Sequence, residues 1–186
     1  MTQAGGGGGG GARGGEHASV HAHRRDAPAR VPTAVVTVSD TRTLESDAGG
    51  ALVAELLEAA GHPVASRAIV RDEPDAIRRA LADALAAPDV RAVILTGGTG
   101  VAPRDVTPET VEPLLDRVIP GFGELFRVLS YQEIGSAALL SRALAGLRDG
   151  RVVFALPGSR GALRLALEKL ILPELGHLAG EALKTR

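Results

Sequence analysis

The chain has 186 residues, 45% of them hydrophobic, which is sufficient for one ordinary domain with a buried core. Its 21 basic and 22 acidic side chains leave a net charge of −1, and only 2% of the residues are aromatic. This composition argues against a nucleic-acid-binding surface and against the stacking of single-stranded bases. Because the chain has no cysteine, disulfides, zinc–thiolate sites and cysteine nucleophiles are excluded.

The N-terminal segment differs in composition from the rest of the chain. Residues 5–11 are all glycine, and residues 1–30 contain almost no large apolar side chain. Such a segment buries too little surface to offset its conformational entropy. We therefore expect a disordered tail over residues 1–30 and one folded domain over residues 31–186. A solvated tail is favoured over a metal site for the three histidines of this segment, which are His17, His21 and His23.

The sequence gives no sign of a membrane or secretory protein. No stretch approaches the roughly 18 apolar residues of a membrane span, and the N-terminus has no apolar core of the secretory type. The absence of cysteine also fits a reducing compartment. We expect a cytoplasmic protein without membrane contact.

Strands and helices alternate through the first half of the predicted domain. Apolar, β-branched residues over 33–40 predict a buried parallel strand, and apolar residues at helical spacing predict a helix over 49–61. The pattern continues with a strand over 63–70, a helix over 73–88 and a strand over 91–95. Such alternation is typical of right-handed crossovers, with helices on both faces of the sheet.

The second half departs from simple alternation. We expect a helix that Thr107 caps, with a proline in its first turn, and a further helix over about 121–134. The Asp149-Gly150 pair between two apolar runs predicts a tight hairpin. A last helix covers about 162–172. The predicted fold class is a three-layer α/β/α sandwich with a mostly parallel sheet and one antiparallel strand from a hairpin.

Polar or glycine-rich segments follow the predicted strands. In open α/β sheets, ligands bind beyond the carboxyl ends of the strands. The segments expected at that edge are residues 39–42, 96–105 and 157–159, and Asp47 and Asp72 are close to strand ends in sequence. We therefore expect these segments to converge on one binding site.

The segment after the third strand, residues 95–109, reads LTGGTGVAPRDVTPE. Its glycines permit a ligand to approach the backbone closely, and successive N–H groups ahead of a helix favour an anion such as phosphate. The segment has neither the Gly-Lys-Ser/Thr of a P-loop nor the Gly-x-Gly-x-x-Gly of a dinucleotide fingerprint. A plain tight turn is the alternative interpretation of the glycines.

A carboxylate beside a phosphate is repelled unless a cation lies between them, and Mg²⁺ is commonly held by one or two carboxylates plus phosphate oxygens. Asp105 is therefore a candidate Mg²⁺ ligand, and Arg104 is positioned in sequence to pair with it or to reach a phosphate. The alternatives for Asp105 are helix capping and an arginine salt bridge. Asp72, at the end of the second strand, is a second acid expected near this site. The alternative for Asp72 is a structural role, as a negative charge that the dipole of the following helix favours at its N-terminus.

Six short motifs follow one another along residues 33–178: TVSDTR, LTGGTG, RDVTPE, PGFGELFR, LSR and LPGS. In this order they resemble the MoaB/MogA family of molybdenum cofactor biosynthesis, which includes plant and animal molybdopterin adenylyltransferases. The pair formed by GGTG…RDVTPE and PGFGE is highly specific, and SYQEIGSAALLSRALAG is most similar to the MoaB branch.

The resemblance implies a three-layer α/β sandwich that transfers AMP from ATP to the terminal phosphate of molybdopterin, with Mg²⁺ as cofactor and pyrophosphate as product. It also implies a homotrimer or a homohexamer, and a downstream metal-insertion enzyme as a partner. Some bacterial MoaB proteins lack the aspartate that corresponds to Asp72. This chain has both Asp72 and Asp105, which favours catalytic competence.

The resemblance assigns roles to individual residues. Asp72 and Asp105 match the family's catalytic aspartates and are the expected Mg²⁺ ligands. The residues that match the nucleotide-holding loop, the loop after the first strand and the segments on the pterin side are Gly97, Gly98, Thr99, Gly100, Ser39, Asp40, Ser130, Ser141, Arg142, Pro157, Gly158 and Ser159.

The nucleophile implied by this reaction is a phosphate oxygen of the substrate, so no serine, cysteine or histidine nucleophile is required. Arg42, Arg104 or Arg142 would neutralise the phosphates. We expect His62 and His177 to be surface or cap residues. A helical pair of aromatic residues, Phe122 and Phe126, is expected at a subunit interface.

Two other functions explain part of the motifs and of the predicted order of strands and helices. A non-catalytic module that binds molybdopterin or a nucleotide would use the same site, although the presence of both aspartates argues against it. A generic nucleotide-binding protein of flavodoxin-like type explains the alternation of strands and helices, but it does not explain RDVTPE beside GGTG.

Overall fold

The computed structural model describes residues 27–184. Most of the predicted N-terminal tail, with its three histidines, lies outside the described residues. Within them, the strands are β1 Thr33–Val38, β2 Val64–Val70, β3 Ala92–Thr96, β4 Arg117–Val118, β5 Leu144–Arg148 and β6 Arg151–Leu156. The α-helices are α1 Ala48–Ala59, α2 Pro74–Ala86, α3 Thr107–Val111, α4 Pro120–Ile134, α5 Arg160–Ala166 and α6 Leu172–Ala182.

The strands form one sheet in the order β2-β1-β3-β6-β5-β4. The first four strands of this order are mutually parallel, and β5 is antiparallel to both of its neighbours. The β5–β6 turn consists of Asp149 and Gly150, whose φ angles of 49° and 70° are both positive, as a two-residue hairpin of this hand requires. The predicted fold class and its hairpin are confirmed. The edge strand β4 was not predicted, because two residues are too few to show a pattern.

Two hydrophobic cores cover the two faces of the sheet. Because successive side chains of a strand point to opposite faces, Val35 and Ile94 belong to the core under α1, α4, α5 and α6, whereas Val36 and Leu95 belong to the core under α2 and α3. All six residues of β1 and all five of β3 are buried. Burial on both faces explains why these strands read as continuous apolar runs.

Phe122 and Phe126 on α4 pack inside the chain. Both are buried in the larger core, and the ring of Phe122 lies 6.3 Å from that of Phe126 and 5.3 Å from that of Phe154 on β6. The prediction that this pair lies at a subunit interface is therefore wrong. A spacing of four residues places both rings on the one face of α4 that meets the sheet, and Leu125 and Val128 are exposed on the other face.

Two helix boundaries differ from the sequence-based expectation. Thr107 does not cap α3, because Val106 occupies the cap position and no described side chain makes a capping hydrogen bond there. The last helical segment begins at Arg160, and a π-helical turn at Leu167–Ile171 joins α5 to α6, so that helical structure continues well past residue 172.

His62 is buried, contrary to the prediction of a surface position, but the alternative prediction of a cap residue is confirmed, because its backbone N–H donates to the carbonyl oxygen of Leu57 at the end of α1. Its Nδ1 atom accepts a hydrogen bond from the backbone N–H of Val31 at 3.2 Å. Burial lowers the pKa of His62, which keeps Nδ1 available as an acceptor. The side chain thereby fastens the chain just ahead of β1.

The chain also packs against α6 before β1 begins. A Cβ atom added at Gly176 would lie 2.6 Å from the carbonyl oxygen of Pro28, so this close contact requires glycine. One turn later, Gly180 faces the ring of Pro28. The last turn of α6 lies beside the β5–β6 turn, since a Cβ atom on Gly150 would be 3.5 Å from the carbonyl oxygen of Ala182. The entry point of the domain is thus near the end of the sheet where the parallel strands begin.

Candidate active site

The four parallel strands end at the same edge of the sheet. Val38 is the register partner of Val70, Thr37 pairs with Thr96, and Thr96 pairs with Leu156. The loops that follow β1, β2, β3 and β6 therefore begin side by side. These loops carry most of the polar residues that the sequence places in a binding site.

The glycine loop, residues 97–100, leaves β3 with a backbone that requires glycine. The φ angles of Gly97 and Gly98 are 100° and 60°. A Cβ atom at Gly97 would overlap the carbonyl oxygen of Val38, and one at Gly98 would lie 2.7 Å from both carboxylate oxygens of Asp72. Backbone conformation and lack of space both exclude a side chain, so the exposed edge of this loop consists of backbone.

Asp72 and Asp105 contact the same loop. The carboxylate of Asp72 packs against Gly98, and a Cβ atom at Gly100 would lie 2.6 Å from Oδ2 of Asp105. The structure thus brings the two aspartates to positions two residues apart on the glycine loop, although they are 33 residues apart in sequence. Asp105 does not cap α3.

Backbone N–H groups hold both carboxylates. Oδ1 of Asp72 accepts from Val106 at 3.4 Å, and Oδ2 of Asp105 accepts from Ala102 at 3.2 Å. The salt bridges between described residues include neither aspartate. Both charges are therefore available to a cation.

Burial raises the pKa of Asp72, and the negative charges of Asp105 and Asp40 raise it further. The hydrogen bond from Val106 and the charge of Arg104 oppose this effect. Ionised Asp72 is thus held in an unfavourable environment, which a bound cation would relieve.

Asp40 and Arg104 form an ion pair beside the aspartates. Oδ1 of Asp40 also accepts the backbone N–H of Asp72 at 3.1 Å. Arg104 therefore pairs with Asp40 rather than with Asp105, the partner considered from the sequence. This pair ties the loops after β1, β2 and β3 together.

Arg142 contacts backbone carbonyl oxygens of the glycine loop. Its Nε donates to the carbonyl oxygen of Thr99 at 3.1 Å, and its Nη2 donates to the carbonyl oxygen of Asp105 at 2.9 Å and to that of Gly100. Its Nη1 is paired with Glu109 of α3. Glu109 was not identified as a site residue from the sequence, where the glutamate of RDVTPE appeared only as part of a motif.

A cavity of about 400 Å³ lies in front of the glycine loop. Its lining extends from α4 and the segment before β5 to the loop after β6, and it includes the exposed side chains of Ile134 and Leu140. The structure brings ten of the sequence-derived site residues together in this lining: Gly97, Gly98, Thr99, Gly100, Asp105, Ser130, Ser141, Pro157, Gly158 and Ser159.

A second cavity of about 220 Å³ adjoins the first, because Gly97 and Gly158 line both. Ser39 and Arg42 line this smaller cavity, and so does Arg160, which the sequence-based reasoning missed. The only sequence signal for Arg160 is its position immediately after Ser159. Three predicted site residues flank the loop without lining either cavity: Asp40, Asp72 and Arg142.

The serines of the site differ in their hydrogen bonds. Ser159 caps α5 by accepting the N–H of Ala162 at 3.3 Å. Ser39 accepts the N–H groups of the next turn, at Thr41 and Arg42. The hydroxyls of Ser141 and Thr107 are buried and have no hydrogen-bond partner among residues 27–184. Unpaired buried hydroxyls are uncommon, and Thr107 was missed as a site residue because its hydroxyl was interpreted as a cap.

No three metal-binding side chains come together within the described part of the chain. Two carboxylates beside a loop of exposed backbone nevertheless fit Mg²⁺, which usually takes one or two carboxylates and completes its shell with phosphate oxygens and water. The structure is therefore compatible with a metal that binds together with a phosphate ligand.

In the part of the chain that the structure describes, no helix is long and apolar enough to cross a membrane.

Residues 34–177 match the family model described as "Probable molybdopterin binding domain". The chain is 53% identical over 169 residues to molybdenum cofactor biosynthesis protein B of Halalkalibacterium halodurans, a match that covers 90% of this chain and 99% of the relative. It is 50% identical over 169 residues to the protein of the same name from Bacillus subtilis, with coverage of 90% and 99%.

Solved structures give the same result. A crystal structure of a molybdenum cofactor biosynthesis protein B superposes with a TM-score of 0.82 at 53% identity, covering 84% of this chain and 98% of that chain. The tungsten cofactor synthesizing protein MoaB from Pyrococcus furiosus superposes with a TM-score of 0.77 at 37% identity, covering 85% and 100%. The chain belongs to the MoaB/MogA family of molybdenum cofactor biosynthesis proteins.

Proposed function

We propose that this protein acts in molybdenum cofactor biosynthesis as a molybdopterin adenylyltransferase, which transfers AMP from ATP to the terminal phosphate of molybdopterin. An oxygen of the pterin phosphate attacks the α-phosphorus of ATP and forms the new P–O–P bond. The bond between the α-phosphorus and the bridging oxygen breaks, and pyrophosphate leaves with the electron pair. The products are adenylylated molybdopterin and pyrophosphate.

The observation that carries this proposal is the position of Asp72 and Asp105 against Gly98 and Gly100. The reaction accumulates negative charge between two phosphate-bearing substrates, and its main requirement is alignment and charge stabilisation. A glycine-rich backbone flanked by two acids that form no salt bridge among residues 27–184 would accommodate phosphates and a metal together. A nucleophilic side chain is not needed.

The chain's own residues bind and orient the substrates. The backbone N–H groups of the glycine loop would hold phosphate oxygens of ATP, and Arg42 and Arg160 of the smaller cavity would neutralise further phosphate charge. Asp72 and Asp105 would hold Mg²⁺, which supplies neutralisation of the charge on the phosphate oxygens. The remaining cavity surface, which includes Ser130, would face the pterin.

We infer that the protein is a homo-oligomer, a trimer or a hexamer, and that the exposed face of α4 contacts a second copy. Leu125, Val128 and Tyr131 recur every third residue on this face and are 55%, 56% and 64% exposed, an apolar stripe that a lone helix would not present to water. The stripe continues through Ile134 and Leu140 into the lining of the larger cavity. A second copy on this face would therefore also shield the substrate cavity.

Light scattering tests the oligomer. Val128→Glu places a charge in the centre of the stripe and should lower the molecular mass in solution, because burying an unpaired charge is costly. Leu183→Glu introduces the same charge at another exposed apolar position, 48% exposed near the end of α6, and should leave the mass unchanged. An unaltered mass for Val128→Glu would exclude this face as the interface.

The direct test of the reaction is incubation of the purified protein with molybdopterin, ATP and Mg²⁺. We expect adenylylated pterin and pyrophosphate in equal amounts, and neither product without the metal. Binding of molybdopterin and ATP without products would instead identify a non-catalytic binding module. A cytoplasmic location and delivery of the product to a metal-insertion enzyme accompany this proposal, and both stay predictions.

A further inference from the structure

Arg142 stands between the 3₁₀ turn Gly135–Leu140 and β5, and its guanidinium lies against the glycine loop. Its contacts use most of the five N–H donors of an arginine. Nε donates to Thr99, Nη2 to Gly100 and Asp105, and Nη1 to the carboxylate of Glu109. A guanidinium that protein atoms occupy to this extent has little capacity left for a phosphate.

All three backbone contacts of Arg142 are to carbonyl oxygens, which has a geometric consequence. A trans peptide is planar, and its C=O and N–H groups point in opposite directions. When Arg142 fixes the carbonyls of Thr99 and Gly100, it also fixes the N–H groups of Gly100 and Val101 on the opposite side of the loop. The guanidinium therefore sets the direction of the donors that an anion on the loop would meet.

The third carbonyl connects Arg142 to Asp72. The peptide that joins Asp105 to Val106 accepts from Nη2 of Arg142 at 2.9 Å through its oxygen, and donates to Oδ1 of Asp72 at 3.4 Å through its nitrogen. One rigid peptide plane thus lies between the guanidinium and the carboxylate. Rotation of this plane would weaken both hydrogen bonds at once.

We propose that Arg142 is a positioning residue, which holds the glycine loop and, through the 105–106 peptide, the carboxylate of Asp72, and that Glu109 orients its guanidinium. Arg142 acts on the carbonyl side of the loop peptides and does not contact the phosphates. The loop and the peptide need such a support because glycine lacks a side chain that would restrict its backbone. The catalytic consequence of this role rests on the proposed function, whereas the structural consequence does not.

Amide hydrogen exchange of the ligand-free protein tests the structural role. In Arg142→Gln, amides within residues 99–106 should exchange roughly tenfold faster or more, the scale expected for losing hydrogen bonds from a charged group. Arg142→Lys should recover only part of the protection, because a lysine cannot reproduce the planar fork. Glu109→Gln keeps the arginine and should give a smaller increase in the same residues.

Arg148→Gln is the matched control. Arg148 also holds several groups, namely the carbonyl of Leu114 and the carboxylates of Asp116 and Asp149, but it lies at the other end of the sheet. Exchange within residues 99–106 should not change in this variant. If Arg142→Gln fails to fold, exchange within residues 99–106 is compared between Glu109→Gln and Arg148→Gln. Faster exchange in Glu109→Gln alone would support the positioning role of Arg142, and equal exchange in the two variants would contradict it.

Kinetics then separates positioning from direct contact. A displaced loop should raise KM for ATP and lower kcat together in Arg142→Gln, with partial rescue in Arg142→Lys. Unchanged exchange in the free protein, or faster exchange with unchanged kinetics, would overturn the proposal. If the unaltered protein transfers no AMP, the proposed function fails, and the exchange experiment still decides whether Arg142 holds the loop.

Discussion

Each end of the sheet is organised around an arginine, but the acids near the two arginines differ. At the β5–β6 turn, Arg148 pairs with Asp116 at 3.0 Å and with Asp149 at 3.1 Å, so each acid has a cationic partner. At the opposite end, Arg142 holds backbone carbonyls and pairs with Glu109, while Asp72 and Asp105 accept from backbone N–H groups and form no salt bridge among the described residues. The carboxylates of Asp116 and Asp149 are thus neutralised by Arg148, whereas those of Asp72 and Asp105 have no salt bridge within the described part of the chain.

The size of the cavities does not identify the end of the sheet at which the acids lack salt bridges. A cavity of about 650 Å³ lies between α2 and the β5–β6 turn, whereas the cavity at the glycine loop measures about 400 Å³. The 650 Å³ cavity is lined by three arginines, and each of them donates a hydrogen bond to a carboxylate or to a carbonyl within the protein, although the buried Nε of Arg151 has no partner among the described residues. Unbalanced charge and unpaired hydroxyls, rather than volume, distinguish the candidate active site.

The largest effect that would test this comparison is the loss of one acid at the glycine loop. We expect Asp105→Asn to lower AMP transfer at least about a hundredfold, the usual scale for removing one electrostatic stabiliser, without altering the fold. Asp89→Asn makes the same chemical change at an exposed position just before β3 and should retain activity. Measured turnover of both variants decides, and near-normal activity of Asp105→Asn would remove this residue from the mechanism.

The second largest effect is expected when a glycine at each end of the sheet is replaced by alanine, because the two positions differ in the space around them. Gly98→Ala combines a positive φ with overlap against Thr107 and Asp72, and should lower the free energy of unfolding by at least about 2 kcal/mol and abolish activity. Gly150→Ala at the hairpin also has a positive φ but finds only an ordinary contact at 3.5 Å, so strain of about 1 kcal/mol is expected. Chemical denaturation of both variants measures the difference; equal losses would contradict the crowding at Gly98.

A smaller effect concerns stability and pH. Because the pKa of Asp72 is raised in the folded state, the native protein binds more protons than the unfolded chain over the range between the ordinary and the raised pKa, and stability falls as pH rises through it. Asp72→Asn removes this penalty and should raise the melting temperature at neutral pH, while in acid the difference should vanish. A lower melting temperature at neutral pH would show that the carboxylate stabilises the metal-free fold.

The smallest effect is expected at His62, near the end of the sheet where the strands begin. Burial lowers its pKa, so the unfolded chain binds a proton more readily, and stability should decline as pH falls through the ordinary range of histidine, about 6.5. In His62→Gln, which cannot titrate, this decline should be shallower. Melting temperatures between neutral and mildly acidic pH, with His177→Gln as control, provide the comparison.

The sequence predicted the features that depend on local pattern. Burial on both faces makes β1 and β3 continuous apolar runs, and the Asp149-Gly150 pair supplies the two positive φ angles of the hairpin. The convergence of the loops followed from the rule that parallel strands end at one edge. Asp105 was a candidate Mg²⁺ ligand from its place beside the glycine segment, the resemblance to a family assigned catalytic roles to Asp72 and Asp105, and the structure brings both to the glycine loop.

The features that the sequence missed depend on contacts between distant residues. The partner of Arg104 could not be chosen from the sequence, because Asp40 and Asp105 are both acids near a strand end. Phe122 and Phe126 form an apolar pair whose sequence fits a core or an interface equally well, and only the contact of Phe122 with Phe154 identifies the core. The role of Arg142 depends on three carbonyl oxygens, and no side-chain pattern reveals which backbone atoms a guanidinium will meet.

The contact of Pro28 with Gly176 has a practical consequence for handling the protein. Because this contact holds the start of the described chain beside α6, near the β5–β6 turn, a surface tether joined to a chain that begins at Ala27 would leave from the end of the sheet opposite the glycine loop. Immobilisation by a short tether at that point would leave the candidate site facing the solution. Ligand capture could then be followed on a sensor chip without the anchor covering the glycine loop.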